Sequence, residues 1–135
     1  MRAQRSLVPQ LLEEVLRYDS PVQVVFRRTT ASVTLPGGTL PAEAPVFVLL
    51  GSANHDERKF DEPEQFNLDR DASEHLGFGF GGYFCLGAQL ARVEARIGMK
   101  ELRSGPPWMI EEGGVKRIQS VLLRGIKQMP VTFVN

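Results

Sequence analysis

The sequence is poor in the residues that mark specialised classes. It has one cysteine, which excludes an intrachain disulfide framework and suits a reducing cytosol. It has two histidines, His55 and His75, and neither they nor Cys85 fall at zinc-site spacing. It has no net charge: sixteen basic and sixteen acidic side chains cancel, so no overall field argues for nucleic acid or an anionic membrane surface. It has no long hydrophobic run, since Val46–Leu50 is far too short to span a bilayer. Its opening, MRAQRSLVPQ, lacks an apolar segment of signal-peptide length, so a cytoplasmic location is expected. If the chain is a piece of a longer protein, an anchor upstream would be invisible in it. The remaining composition, 42% hydrophobic and 24% charged over 135 residues, is that of one soluble globular domain.

Against this plain background one stretch stands out, Phe78–Ala91, reading FGFGGYFCLGAQLA. Glycines at 77, 79, 81 and 82 precede the single cysteine, Cys85. After it, Leu86, Leu90, Val93 and Ile97 recur at helical period and form one apolar stripe. Cys85 is thus expected at or just before a helix N-terminus, where unpaired N–H groups and the helix dipole favour a thiolate. Gly87, Ala88 and Ala91 leave one side of the first turns almost bare, so a flat group could lie there. A lone intracellular cysteine is ordinarily a small buried hydrophobe, which is the competing reading. Gly77, Gly79 and Gly82 also spell GxGxxG. A dinucleotide site needs a buried strand before the glycines and an acidic residue at a strand end beyond them. Asp71–Leu76 is no such strand, and Glu101 falls inside the helical run.

The stretch resembles the haem-binding signature of the cytochrome P450 family, FGxGxHxCxGxxxA. Phe78, Gly79, Gly81, Cys85, Gly87 and Ala91 match it position by position, while Tyr83 stands where the family has histidine. The resemblance implies that Cys85 is the axial thiolate ligand of the iron of haem b, iron protoporphyrin IX, pushing electron density toward the metal.

In chain order, Leu7–Tyr18 reads as a helix with Pro9 in its first turn, Leu11, Leu12, Val15 and Leu16 as its buried face, and Asp19-Ser20-Pro21 as its end. Glu14 and Arg17 are neighbours on its surface, a spacing that usually marks a solvated ion pair. They also resemble the family's ExxR pair, which is buried and pins the cysteine loop. Val22–Thr30 reads as a strand interrupted by Arg27 and Arg28. Val33–Leu35 and Thr39–Leu40 read as a hairpin across Pro36-Gly37-Gly38. Val46–Leu50 does not alternate, so a strand covered on both faces is expected, with a helical turn near 53–58. Residues 59–84 show no periodicity, which fits the family's irregular meander. There Pro63, Glu64 and Phe66 resemble the PERF motif with Gln65 in place of arginine, and Arg70 is the candidate third partner of Glu14 and Arg17. His75 falls where soluble bacterial members often carry histidine. Ser104–Pro107 breaks the chain before short strands expected at 108–110, 115–121 and 131–134.

The resemblance therefore implies an α+β fold: two main helices, short antiparallel strands and a long meander loop. Residues 1–135 would form a single partial domain, the C-terminal third of a typical member. By resemblance, Arg27 and Tyr83 hold haem propionates, Phe78 and Gly79 shape the proximal loop, and Gln23, Val24, Leu122 and Leu123 line the substrate pocket. Implied partners are a small apolar organic substrate and a redox donor of ferredoxin or flavodoxin type, docking on Arg92, Arg96 and Lys100; the same three side chains fit a plain solvated helix face equally well. No nucleic acid is expected. The function implied is that of a haem-dependent monooxygenase. This chain alone is expected to be inactive, because the distal segments that deliver protons and roof the pocket have no counterpart in it, and unfilled apolar faces should drive self-association. Alternatives are a non-catalytic truncated remnant, or a fragment that folds only with a partner chain.

Overall fold

The computed structural model describes residues 7–134, and most of the segment read for a signal peptide lies outside them. Helix α1, Val8–Tyr18, begins with Pro9 where a missing N–H costs nothing. It ends at Asp19, whose N–H still reaches the Val15 carbonyl at 2.9 Å. Its buried face differs from the expected one. Leu11, Leu12 and Leu16 are half-buried and Val15 is exposed, whereas Glu14 and Arg17 are fully buried. The charged pair can lie inward because every strong polar atom of it finds a partner, as described below.

Strand β1, Val24–Arg28, pairs antiparallel with β4, Pro45–Leu49, from Val24 opposite Leu49 to Arg28 opposite Pro45. Between them β2, Val33–Leu35, and β3, Gly38–Leu40, form the expected hairpin, closed by Pro36-Gly37 with Gly38 at φ +139°. The expectation that 46–50 is covered on both faces fails. Among the described residues β4 pairs with β1 alone, and Phe47 and Leu49 remain 63% and 53% exposed. The apolar run is still explained in part by the cross-strand contact of Phe47 with Phe26, ring centres 4.8 Å apart. A short helix α2, Leu50–Ala53, follows β4 directly, earlier than the turn expected near 53–58. Residues 54–80 carry neither helix nor strand, and a single 3-10 turn, Gly81–Tyr83, precedes Cys85, so the meander is irregular as the missing periodicity indicates.

Helix α3, Ala88–Ser104, starts after Gly87. Its apolar stripe does not face this chain's own core: Leu90, Val93 and Ile97 are about half exposed and Leu86 fully so. The face toward α1 carries buried Ala88 and Arg92. Beyond it β5, Trp108–Ile110, pairs with β8, Val131–Phe133, and β6, Lys116–Arg117, pairs with β7, Ile126–Gln128. The strand expected over 115–121 is thus cut to two residues, because the Ser120 hydroxyl accepts the N–H groups of Leu122 and Leu123 and turns the chain. Strand β7 was not anticipated. The segment returns to β1 through Gln23 N–H to Leu122 O at 2.8 Å and a bridge between Val22 and Leu123. The fold is α+β. Among the described residues its buried apolar side chains are few (Leu50, Phe60, Ala72 and Ala88), and they share the interior with Glu14, Arg17, Ser20, Asn54 and His75.

Candidate functional site

The loop before α3 is built by glycine. Gly79 and Gly81 hold φ +77° and +67°, a region side chains with a Cβ rarely enter. Gly79 N–H donates to Leu76 O and Cys85 N–H to Phe78 O, both at 2.8 Å, so the loop closes on itself and presents Cys85 outward as an exposed free thiol. The thiol opens onto a pocket of about 400 Å³. One wall is apolar, with Leu16, Val22, Val25 and Val48; the other is the loop, with Phe78, Gly79 and Phe80. At the rim the Arg27 guanidinium lies 5.0 Å from the centre of the Tyr83 ring. The structure therefore brings Cys85, Arg27, Tyr83, Phe78 and Gly79 to one cavity. Gly87 and Ala91 lie outside its lining, at the start of α3. Gln23 lines a separate polar pocket of about 360 Å³ with Tyr18, His55, Glu64 and Arg124. Val24, Leu122 and Leu123 line neither pocket. In place of Val24 it is Val25, on the opposite face of β1, that reaches the cavity.

Behind the loop sits the charged core. Arg17 donates to both oxygens of Glu14 at 2.8 and 2.9 Å, and to the carbonyls of Asn54, Pro63 and Gln65 at 2.8, 2.9 and 3.2 Å. Glu14 also accepts the Asn67 N–H at 2.9 Å. Arg70 Nε lies 3.5 Å from Glu14 Oε1, an ion pair without a hydrogen bond, while its other nitrogens donate to the carbonyls of Asp61 and Glu62. Burial pushes the Glu14 carboxyl up, but Arg17, the Asn67 amide and Arg70 together hold it below the usual range. Gln65 contributes its backbone here, and its side chain turns to Glu62 instead.

Sequence reading missed two members of this interior. Asn54 donates to Ser20 Oγ and accepts the Leu76 N–H, each at 2.7 Å, tying α1 to the start of the cysteine loop. Glu13 binds Arg92 through both carboxylate oxygens at 2.7 and 2.8 Å and meets His75 Nε2 at 3.1 Å. No local pattern marks Asn54; the doubled glutamate at 13 and 14 was the available signal for Glu13. Arg92 is consequently engaged inward by Glu13, whereas Arg96 and Lys100 are exposed, as either a docking or a solvated helix face requires.

The sequence model of the family described as Cytochrome P450 matches residues 1–102. The chain belongs to the cytochrome P450 family. It is 42% identical over 128 residues to the methyl-branched lipid omega-hydroxylase of Mycobacterium tuberculosis, covering 94% of this chain and 30% of that protein. It is 42% identical over 132 residues to the vitamin D(3) 25-hydroxylase of Pseudonocardia autotrophica, covering 95% and 33%. A solved cytochrome P450-like monooxygenase of microbial secondary metabolism superposes with a TM-score of 0.93 at 39% identity, over 98% of this chain and 37% of that one. The chain spans about a third of the relatives it matches, their C-terminal part.

Cytochromes P450 bind haem, and the residues present fit one. Among the described residues no three His, Cys, Asp or Glu side chains cluster to hold a bare metal. A metal at Cys85 must bring its other ligands with it, as the iron of a porphyrin does. Sulfur is a suitable donor for that iron, the pocket walls are apolar, and Arg27 brings to the lining a guanidinium, a group that suits a carboxylate. Among the described residues no helix is long and apolar enough to cross a membrane.

Proposed function

We propose that this chain is the haem-thiolate portion of a cytochrome P450 monooxygenase acting on a small apolar organic substrate. The observation that carries the reading is the exposed Cys85 thiol opening on an apolar pocket with Arg27 and Tyr83 at its rim. Bound haem would supply the oxygen chemistry: with O₂, two electrons and two protons, one oxygen atom enters the substrate and the other leaves as water. This chain's residues hold and orient. Cys85 ligates the iron as thiolate. Arg27 pairs with a propionate, and Tyr83 donates a hydrogen bond to one. Phe78 and Gly79 set the height of the loop, and Gly87 and Ala91 keep the turn behind Cys85 free of bulk. Glu14, Arg17 and Arg70 fix the meander beneath it. The apolar lining, together with the names of the lipid and vitamin D(3) hydroxylases it resembles, supports an apolar substrate. Gln23, Val24, Leu122 and Leu123 do not line the pocket at Cys85, so its geometry lends no support to a substrate contact for them. Exposed Arg96 and Lys100 on α3 would meet an acidic ferredoxin- or flavodoxin-type donor in the cytoplasm.

The 135 residues alone are inactive under this reading. Oxygen activation needs a proton donor on the far side of the iron and a site that excludes bulk water. Here Cys85 and Tyr83 are left exposed among the described residues. The exposed faces of Phe26, Phe47, Leu90 and Ile97 favour a related reading, that the chain is completed by another segment or chain and otherwise self-associates. The test is turnover with an electron donor, O₂ and a panel of apolar substrates, with size-exclusion chromatography alongside. Association, weak haem retention, or both are expected; coupled product formation by a monodisperse monomer would overturn the reading.

A further inference from the structure

Cys85 makes no side-chain bond of its own among the described residues; its backbone is fixed by Cys85 N–H to Phe78 O at 2.8 Å and by Ala88 N–H to Cys85 O at 3.2 Å. Whatever holds Phe78 therefore holds the thiol. The Phe78 ring lies under the Arg92 guanidinium, 4.8 Å from its centre, and 5.9 Å from the His75 ring. Arg92 comes from α3 and His75 from the meander, and one carboxylate holds both. Glu13 Oε1 accepts Arg92 Nε at 2.7 Å; Glu13 Oε2 accepts Arg92 Nη2 at 2.8 Å and meets His75 Nε2 at 3.1 Å. His75 Nδ1 accepts the Gly77 N–H at 2.9 Å, which leaves Nε2 as the donor to Glu13. Gly77 also packs close to α1, since a Cβ there would stand 2.9 Å from the Leu16 carbonyl. The His75 side chain is 2% exposed, with Glu13 and Arg92 at 20% and 16%, so solvent weakens these contacts little.

We propose that Glu13 is the positioning residue of the thiolate loop, acting through Arg92 and His75 on Phe78 and through the Phe78 carbonyl on Cys85. The paired glutamates of α1 then divide two tasks. Glu14 binds the Arg17 core under the meander, and Glu13 sets the pose of the cysteine. The loop geometry stands whatever Cys85 binds; only its consequence for an iron–sulfur bond rests on the proposed function.

The test is residue-resolved amide exchange on the 135-residue chain at neutral pH, comparing wild type with Glu13→Gln and Arg92→Lys. Glutamine cannot accept from three donors as a carboxylate does, and lysine keeps the cation without the two-pronged fork. The Gly77 and Cys85 amides should exchange about tenfold faster in each variant, while amides within β1 and the middle of α3 keep wild-type rates. A purely structural role would accelerate all of them together. An unchanged Cys85 amide overturns the proposal, and so does uniform acceleration or failure of both variants to fold. In haem-loaded protein the same variants should lose part of the red-shifted carbon monoxide band of the reduced state. Faster loop exchange with that band intact would keep the loop assignment and refute its consequence for the iron–sulfur bond.

Discussion

Replacing Arg17 should be the most damaging single change on the α1 side of the molecule, and the size of the effect follows from its partners. Its guanidinium is fully buried and serves both oxygens of Glu14 and the carbonyls of Asn54, Pro63 and Gln65. Arg17→Lys keeps the charge but offers three donors from one nitrogen, so at least two of these five acceptors lose their partner. Each buried acceptor left unpaired costs roughly 1–3 kcal/mol, which puts the substitution at roughly 2–6 kcal/mol. Arg17→Ala leaves the Glu14 charge buried with Arg70 and the Asn67 N–H beside it, a change that typically costs about 3–5 kcal/mol before the carbonyls are counted. A chain of this length is ordinarily stable by roughly 7–20 kcal/mol. With so few buried apolar side chains it should sit at or below the lower end. Arg17→Lys should thus leave a marginal fold and Arg17→Ala none. The assay is urea unfolding followed by far-ultraviolet circular dichroism. Arg124→Lys is the control, because Arg124 pairs with Asp19 in the open and such a pair contributes about 0–1 kcal/mol. If Arg17→Lys lies within about 0.5 kcal/mol of that control, the buried network is not what holds the meander.

Cys85→Ala should abolish the red-shifted carbon monoxide band of the reduced haem-loaded protein, and a band that survives would remove the cysteine from the iron. Tyr83→His should slow haem transfer to apomyoglobin, because an imidazole can add positive charge beside a propionate where a phenol donates only one hydrogen bond, and Tyr83→Phe should speed it modestly; equal transfer from all three would show that the position is idle. Stability should fall on acidification in two stages. Burial outweighs the pull of Glu13 and holds the His75 imidazole below its ordinary value of 6.5, so the unfolded chain takes up the proton first and stability drops as pH falls below about 6.5. Glu13, held low chiefly by its hydrogen bond from Arg92, adds a second loss below its ordinary value of 4.5. Urea midpoints measured against pH check this, and His75→Gln should flatten the upper stage.

Legibility in the sequence followed the range of the interactions. Local periodicity and turn chemistry placed α1, the β2–β3 hairpin, β4 and α3 within a few residues. Periodicity also marked Leu90, Val93 and Ile97 as one stripe, but it could not say that this chain leaves them exposed. A stripe reports that a face is apolar, and what covers it is information held elsewhere. The same gap undid the buried face expected for α1, where Glu14 and Arg17 went inward and Val15 outward. Spacing alone reads such a pair as solvated, because nothing within α1 announces acceptors at residues 54, 63 and 65. In the site, Cys85, Phe78, Gly79, Arg27 and Tyr83 carried visible motif or strand signals and converge on one pocket. Asn54 and Glu13 carried none strong enough, since their partners lie 22 to 79 residues away.

The manner in which Arg17 binds explains why the motif beside it can vary. Its three contacts to the meander are all to backbone carbonyls, which every residue type supplies. Gln65 can therefore stand where the family pattern has arginine without opening the network: its carbonyl still accepts from Arg17 at 3.2 Å, and its own side chain is free to turn to Glu62. A second cation beside Glu14 comes from Arg70, five residues on, its Nε 3.5 Å from the carboxylate. Arg70 in turn holds the carbonyls of Asp61 and Glu62, the backbone immediately before the altered motif. Glu62 sits there at φ +47°, in the left-handed region, so this backbone needs holding. The constraint on this part of the chain is thus one of charge count and carbonyl placement around Glu14, and the identity of the side chain at position 65 is secondary to it.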